Sequence, residues 1–365
     1  MAGANSFVTT IRGDVSGREL GVTLVHEHII ADIRSLQCAC RVPGRERLID
    51  TPIAHVERAL LARDPLVSSD NCILTDEDTA VDELEFFVKA GGGTVVECTT
   101  VGLRPDIEAL SRVADRTRAH IVAPTGFYLW ASCQAEVGAR SAEELANEMI
   151  RDITGGIRGS RVRAGVIGEI GTSTQLHEQE ERVLRAAAIA HCSTGKPITI
   201  HLDQIGHEGE RVIDILCGLG VAPNRIVIGH LDQRPGMDPE YVKTIARRGV
   251  FLGFDTFGTT FSYDSMSFDD PTDTQRIRLL REIIDGGYAD QCVLSHDVGM
   301  KCMFRSNGGG GYSHLLEDIW PAMRIRGVRE EFYSMFFVDN PRRWLTGESA
   351  DALEQERLGT ARAGG

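Results

Sequence analysis

The sequence has few features of a secreted, membrane-bound or nucleic-acid-binding protein. Its first segment, MAGANSFVTTIRGDV, lacks the long apolar core of a signal peptide, and no run of 18 apolar residues occurs in the 365-residue chain. Lys and Arg number 39 against 53 Asp and Glu, which gives a formal net charge of −14. Because nucleic acids and anionic membranes attract basic surfaces, this balance argues against both as partners.

Cysteine is too sparse to indicate a disulfide framework. The chain has nine cysteines, and the odd number leaves at least one of them unpaired. Cys38 and Cys40 form an isolated C-x-C pair, without a second pair at the spacing of a structural zinc site. We therefore expect a cytoplasmic enzyme with reduced thiols. Its 42% apolar and 25% charged residues are ordinary for a globular protein.

Short β-branched runs alternate with helical stretches over most of the chain, which favours parallel strands joined by helices. Eight runs are candidate strands: 22–28, 94–99, 120–126, 164–170, 197–202, 225–231, 250–255 and 292–297. Residues 76–91 and 177–195 are among the helices predicted between them. Open doubly wound sheets usually have about five to seven strands, whereas eight units form a (β/α)₈ TIM barrel. We therefore predict an α/β fold of the TIM-barrel type.

One domain accounts for residues 1–346, since the chain shows neither an internal repeat nor a low-complexity linker. A short N-terminal β-hairpin, with DVSG (14–17) as its turn, is expected to cover the bottom of the barrel. Residues 32–75 form a long insertion after the first barrel strand. Residues 347–365, rich in Ala, Gly and charge, are predicted to be a flexible tail.

The stretch GVTLVHEHII places two histidines at alternate positions at the end of a strand, so both imidazoles lie on one face. Other strands of the predicted barrel also end in metal-binding side chains, and in TIM barrels the active site lies at these ends. The full set of such residues is His26, His28, Glu169, His201, His230 and Asp297. Four imidazoles and two carboxylates at one rim suit two divalent ions of Zn, Co, Fe or Mn.

A single histidine at a strand end is more often a hydrogen-bonded structural residue than a metal ligand. Six suitable side chains at the same end of five strands make coincidence the weaker explanation. Glu27 and His296 neighbour members of this set and therefore point to the opposite faces of their strands. We predict that Glu27 and His296 support or pack against the site without entering it.

These motifs resemble the phosphotriesterase family of the amidohydrolase superfamily. The resemblance extends from Thr10 to about Thr346 and rests on HEH at strand one, GEIG at strand four, IH and GH at strands five and six, and SHD at strand eight. GGGTVVECTT, TGFY, GGGGYSH and NPRRWLT further resemble the phosphotriesterase-related proteins, the N-acetyltaurine hydrolase-like branch of that family. Members that hydrolyse paraoxon bridge two metals with a carbamylated lysine, where this sequence has Glu169. Lys196 opens strand five at the far end of the barrel and cannot replace it.

The resemblance implies two divalent transition metal ions, with Zn²⁺ as the first expectation and Co²⁺, Mn²⁺ or Fe²⁺ as alternatives. By this resemblance, the more buried ion is bound by His26, His28 and Asp297. The more exposed ion is bound by His201 and His230, and Glu169 bridges the two ions. A metal-bridging hydroxide would attack the substrate, with Asp297 as the proton shuttle.

Candidate substrate-binding residues lie in the loops that follow the strands. Tyr128 matches a family position beside the two metals and is a catalytic candidate, although it equally suits packing against Trp130. Arg234, Lys301 and Arg305 are cations that suit a substrate carboxylate, sulfonate or phosphate.

The resemblance favours hydrolysis of a small amide of the N-acyl amino acid type. The alternative is a lactonase acting on an acyl-homoserine or sugar lactone, with weak or no triesterase activity. A small molecule is then the expected partner, and the family adds a possible homodimer.

Overall fold

The computed structural model describes residues 6–37, 42–203, 205–233, 237–266, 268–353 and 355. Strands and helices alternate along it, as the sequence predicts. The strands are β1 (Phe7–Thr10), β2 (Gly13–Ser16), β3 (Val22–Glu27), β4 (Ala31–Asp32), β5 (Ile73–Leu74), β6 (Gly92–Glu97), β7 (His120–Val122), β8 (Pro124–Thr125), β9 (Val166–Gly171), β10 (Ile198–His201), β11 (Ile226–Ile228), β12 (Phe251–Phe254) and β13 (Cys292–Leu294).

The α-helices lie between and after these strands. They are α1 (Arg58–Arg63), α2 (Glu77–Lys89), α3 (Ile107–Arg116), α4 (Gln134–Val137), α5 (Ala142–Thr154), α6 (Glu178–Thr194), α7 (Gly209–Gly218), α8 (Pro239–Ala246), α9 (Asp273–Asp285), α10 (Trp320–Ile325), α11 (Phe332–Ser334) and α12 (Asn340–Thr346). Both helices named in the sequence prediction are confirmed as α2 and α6. The Asp76 carboxylate accepts from two backbone N–H groups at the start of α2, and Gly195, with φ of 70°, ends α6.

The parallel strands form two consecutive sheets. One has the order β13-β12-β11-β10-β9-β8, and the other has the order β3-β6-β7. Only Ala123 separates β7 from β8, which together are the third predicted strand. At the remaining edges, Asp297 N–H donates to His26 O (3.2 Å) and His26 N–H donates to Ser295 Oγ (3.0 Å). The eight predicted β/α units are therefore present, and the α/β class is confirmed.

A layer of apolar side chains lies inside this ring of strands. Its members come from strands on different sides of the ring and contact one another. Side chains from such strands can meet only if they point into the barrel. They include Val25, Val96, Val122, Val166, Val227, Phe251 and Val293, with Val8 and Trp344 below them. The ring is thus a packed core, and a functional site must lie at one of its ends.

The N-terminal hairpin is confirmed, but its predicted turn is wrong. β1 and β2 pair antiparallel, with Thr10 opposite Gly13, so the turn lies at Ile11 and Arg12. Residues 14–16 of the predicted DVSG turn belong to β2. Ile11 N–H donates to Ile121 O (2.9 Å), which holds the hairpin near the start of β7 and therefore at the amino-terminal end of the strands.

The insertion after β3 covers the opposite end of the barrel. It is closed at its base by the antiparallel pair β4 and β5, and it has a small core of Val56, Leu61 and Val67. In the described part of the chain, no helix has both the length and the apolar character to cross a membrane. Residues 354 and 356–365 of the predicted tail lie outside the described residues.

Candidate metal centre

The six predicted donors come together at the carboxyl-terminal ends of the strands. They lie in or shortly after β3, β9, β10, β11 and β13, and all are buried except His201 and Asp297, which are partly exposed. Glu169 occupies the centre of the group. Its Oε2 lies 3.2 Å from His26 Nε2 and 3.2 Å from His201 Nδ1, and its Oε1 lies 3.3 Å from His28 Nε2. His230 Nε2 lies 3.8 Å from Glu169 Oε2, so one carboxylate faces histidines from three strand ends.

The remaining contacts divide the donors into two groups that share Glu169. Asp297 Oδ1 lies 3.0 Å from His28 Nε2 and 3.7 Å from His26 Nε2. On the other side, His230 Nε2 lies 2.8 Å from His201 Nδ1. Three sets of three candidate ligands have their ligand atoms within 4.8 Å of one another: His26, His28 and Glu169; Glu169, His201 and His230; and His26, His230 and Asp255. The geometry therefore brings together the same two groups that the sequence predicts.

The charges of the cluster suit a cation. Burial lowers the pKa of His28, but hydrogen bonds to Asp297 and Glu169 outweigh it and raise that pKa to about 10. Burial also lowers the pKa of His230, but the Asp255 carboxylate outweighs this effect and raises that pKa to about 10. The pKa of Glu169 is well below its usual range despite its burial, because the surrounding imidazoles favour the ionised carboxylate.

One further observation tests whether this donor set fits a metal. His26 Nε2 is buried and has no hydrogen-bond partner among the described residues, although it points at the Glu169 carboxylate. A buried polar atom without a partner is costly unless an ion or another group satisfies it. Imidazole nitrogen and carboxylate oxygen are ligands for divalent transition metals, so the residues present fit such ions.

Asp255, at the end of the seventh barrel strand, orients two of the histidines and was missed in the sequence prediction. Its Oδ2 lies 3.2 Å from His26 Nδ1, and its Oδ1 lies 3.0 Å from His230 Nδ1 and accepts from His230 N–H at 2.7 Å. These contacts turn both Nε2 atoms toward Glu169. The signal was present, because the predicted strand VFLGFD ends in this aspartate exactly as the other strands end in their donors. Thr99 Oγ1 lies 2.9 Å from His28 Nδ1 and orients the His28 ring in the same way.

Two of the donors have left-handed backbone conformations. His230 has φ of 59° and Asp297 has φ of 56°, values that non-glycine residues rarely adopt. Each such residue costs about 1–3 kcal/mol and persists only where the surroundings fix it. The hydrogen bonds from His230 N–H to Asp255 and from Asp297 N–H to His26 O supply that constraint.

Glu27 and His296 lie beside the cluster and outside it, as predicted. Glu27 Oε1 is 2.6 Å from His296 Nδ1, and Glu27 Oε2 accepts from Val298 N–H at 2.9 Å. His296 Nε2 in turn accepts from Leu315 N–H at 2.9 Å. This buried pair ties the end of β3 to the segment after β13.

The donor cluster opens into a cavity of about 320 Å³. His28, Glu169, His201 and Asp297 form its floor. Its walls are mostly apolar and come from the insertion and the strand-end loops: Ile33, Leu36, Leu66, Leu103, Leu129, Met266, Phe268 and Met300. Such a cavity admits a small molecule and excludes most of the water around it.

Comparison with known proteins identifies the family. Residues 6–345 match the model of the phosphotriesterase family. The chain belongs to this family. It is 34% identical to the N-acetyltaurine hydrolase of Xenopus tropicalis over 350 residues, which cover 95% of this chain and 99% of the relative. The predicted membership of the family and its N-acetyltaurine hydrolase-like branch is confirmed.

Solved structures agree with this result. A resiniferatoxin-binding protein from Rhodobacter sphaeroides is 33% identical to this chain, with a TM-score of 0.91. The match covers 94% of this chain and 95% of that protein. A lactonase from Listeria monocytogenes, 24% identical with a TM-score of 0.73, shares the fold over 94% of this chain and all of that one. The chain is a hydrolase of the phosphotriesterase family, whose members are metal-dependent, and its His, Glu and Asp groups could bind metal ions.

Tyr128 lies beside His201, one of the six donors. Its Oη is 3.2 Å from His201 Nδ1 and 3.3 Å from His201 Nε2, and its ring lines the cavity. Packing of Tyr128 against Trp130 was the alternative, but Trp130 stacks on His177 with ring centroids 5.3 Å apart. Burial raises the pKa of Tyr128 well above 10, so its phenol stays protonated.

The three candidate substrate-binding cations were predicted to lie near the donor cluster, and the structure describes the positions of two of them. Lys301 pairs with Asp70 of the insertion, and Arg305 pairs with Glu317, and neither lines the cavity. The structure therefore does not bring these two side chains to the donor cluster. Arg234 lies outside the described residues.

Proposed function

We propose that this phosphotriesterase-family protein hydrolyses a small amide of the N-acyl amino acid type with the help of two divalent metal ions. The observation that carries the proposal is the identity to N-acetyltaurine hydrolases over almost the whole length of both proteins. The shared position of Glu169 between two groups of histidines supports it, because a carboxylate there suits a bridge between two ions.

In this proposal, His26, His28 and Asp297 hold one ion, His201 and His230 hold the other, and Glu169 contacts both. Zn²⁺ is the first expectation, and Co²⁺, Mn²⁺ and Fe²⁺ suit the same ligands. Bound ions of this kind polarise a carbonyl oxygen and lower the pKa of water toward neutrality.

The side chains around the ions supply the remaining chemistry. Asp297 accepts the proton of the attacking water and delivers it to the leaving amine, because its carboxylate is at the floor of the cavity. Without metal, the neighbouring imidazoles hold the pKa of Asp297 below its usual range, against the effect of burial, so its carboxylate is ionised. Tyr128 lies beside His201 and can donate its phenolic proton in a hydrogen bond to the substrate.

Lactone hydrolysis is the second candidate. The position of the Tyr128 phenol against His201 favours it, because a neutral donor there suits the ring oxygen or carbonyl of a lactone. The fold shared with the Listeria lactonase is compatible with this activity. Triester hydrolysis is expected to be weak or absent.

A substrate panel tests the proposal. Purified protein from metal-supplemented expression is assayed with N-acetyltaurine, other N-acetyl amino acids, acyl-homoserine lactones and paraoxon, by acid release in weak buffer. We expect the highest kcat/KM with an N-acyl amino acid, and elemental analysis should find close to two transition metal ions per chain. Turnover of lactones alone would refute the amide proposal in favour of the second candidate. Absence of both metal and turnover would refute the metal-dependent mechanism.

A further inference from the structure

Tyr263, in the loop between β12 and α9, is a polar residue of the cavity to which the mechanism above gives no part. Its side chain lines the same cavity as His28, Glu169 and Asp297. The ring packs against Phe261, with centroids 5.9 Å apart, and against Phe268 at 5.7 Å. The side chain is partly exposed, so its phenol is accessible to a ligand bound in the cavity.

The backbone at Tyr263 is strained. Its φ is 37°, and for a bulky aromatic residue a positive φ is a true outlier. Residues held in such conformations cost about 1–3 kcal/mol and cluster at ligand-binding sites, where the surrounding structure fixes them. The strain is therefore a second indication, independent of the position of the side chain in the cavity, that this residue has a function.

The segment around Tyr263 is fixed to the insertion. Arg45 and Arg63 both bind the Asp264 carboxylate, at 3.0 Å and 2.9 Å. Two backbone hydrogen bonds add to this, from Ser262 N–H to Ala62 O (3.0 Å) and from Asp264 N–H to Arg63 O (2.9 Å). Contacts on both sides of Tyr263 thus hold its ring over the cavity before any ligand is present.

We propose that Tyr263 is a substrate-binding residue whose phenol donates a hydrogen bond to an oxygen atom of the substrate bound at the donor cluster. The role is that of a donor, because burial, with Asp270 and Asp297 nearby, raises the pKa of Tyr263 well above 10. The assignment rests on the proposed function in that it assumes binding over the donor cluster. It does not depend on whether an amide or a lactone is cleaved.

The test uses hexylphosphonate, whose tetrahedral anion mimics the geometry of acyl hydrolysis and whose alkyl chain suits the apolar walls. Its Kd is measured calorimetrically on the metal-loaded full chain for wild type, Tyr263→Phe and Tyr333→Phe. Tyr333 is also partly exposed, packs its ring against Trp320 and does not line the cavity, so it is the matched control. We expect Tyr263→Phe to weaken binding about tenfold, the effect of one hydrogen bond to a charged group, while Tyr333→Phe leaves the Kd unchanged.

Metal content and melting temperature of Tyr263→Phe should equal those of wild type, since the ring and its packing are kept. Equal Kd values for wild type and Tyr263→Phe, or no binding of the phosphonate by wild type, would overturn the assignment. Turnover in the substrate panel reports separately on the proposed function. An active amidase with an unchanged Kd refutes Tyr263 alone, whereas a weakened Kd without amide turnover refutes the amidase alone.

Discussion

The two ends of the barrel hold their charged side chains differently. At the amino-terminal end, guanidinium groups are bound by backbone carbonyls. Arg12 donates to Thr117 O (2.8 Å) and Ala119 O (2.7 Å), and Arg225 donates to Trp344 O (2.7 Å) and Gly195 O (2.6 Å). At the carboxyl-terminal end, imidazoles and carboxylates crowd together, and a buried imidazole nitrogen of His26 has no hydrogen-bond partner among the described residues.

The difference separates stability from function. Carbonyl groups around a guanidinium complete its hydrogen bonds, so nothing further is needed to keep the hairpin and α12 in place. The donor cluster reaches a balanced set of contacts only with added positive charge, which protons or metal ions supply. Changes at the two ends should therefore affect different measurements.

Glu169→Gln should produce the largest effect. It removes the carboxylate that faces both groups of histidines, so we expect metal content to fall below one ion per chain and kcat to fall by more than about 100-fold, beyond the usual cost of losing a residue that only orients a ligand. Elemental analysis and turnover measure both. Glu180→Gln is the matched control, because Glu180 is also buried but caps the start of α6. If Glu169→Gln retained two ions, the bridging role would be wrong.

Asp255→Asn comes next, since it keeps the shape of the side chain but removes the charge that orients His26 and His230. We expect about 10- to 100-fold weaker metal affinity, measured by competition with a chelating dye. The exposed Asp214→Asn is the control. Unchanged affinity would show that the strained backbone at His230 suffices to position its ring.

The donor cluster was largely predictable from the sequence, because the carboxyl ends of parallel strands meet at one rim whatever the loops do. Asp255 followed the same rule and was overlooked because strand seven was assigned no donor. The hairpin turn was misplaced because Asp14 and Gly17 are common turn residues, whereas Ile11 and Arg12 are not, and pairing of β1 with β2 decided the outcome.

The loops were less predictable for a physical reason. Whether a cation such as Lys301 or Arg305 reaches the cavity depends on which carboxylates the folded chain places beside it, and Asp70 and Glu317 are brought there by long-range packing. The left-handed conformations of His230 and Asp297 also have only a weak sequence signal, since neither residue is glycine. Tyr263 escaped attention for the same reason.

Arg225→Met should affect the other end of the barrel alone. Loss of the guanidinium leaves carbonyls of the α12 terminus and of Gly195 without their donor, so we expect the free energy of unfolding in urea to fall by about 2 kcal/mol. Metal content and kcat/KM of the folded protein should not change. The exposed Arg211→Met is the control. Loss of metal in Arg225→Met would contradict the independence of the two ends.

The smallest effect concerns His314, which lies at the carboxyl-terminal end but outside the donor cluster. Burial lowers its pKa, but Asp273 (Nε2 to Oδ2, 3.2 Å) and Asp318 (Nδ1 to Oδ2, 2.9 Å) raise it above its ordinary value. Since the folded pKa exceeds the unfolded pKa of about 6.5, this stabilisation is complete below pH 6.5 and is lost as the pH rises through the folded value.

We therefore expect the free energy of unfolding of metal-loaded wild type, relative to His314→Gln, to decrease by less than about 1 kcal/mol between about pH 6 and pH 9. Urea titrations at several pH values measure this difference, and the exposed His55→Gln should follow wild type. A difference that stays constant, or increases with pH, would show that His314 stabilises the loop through packing between Gly258 and Gly310.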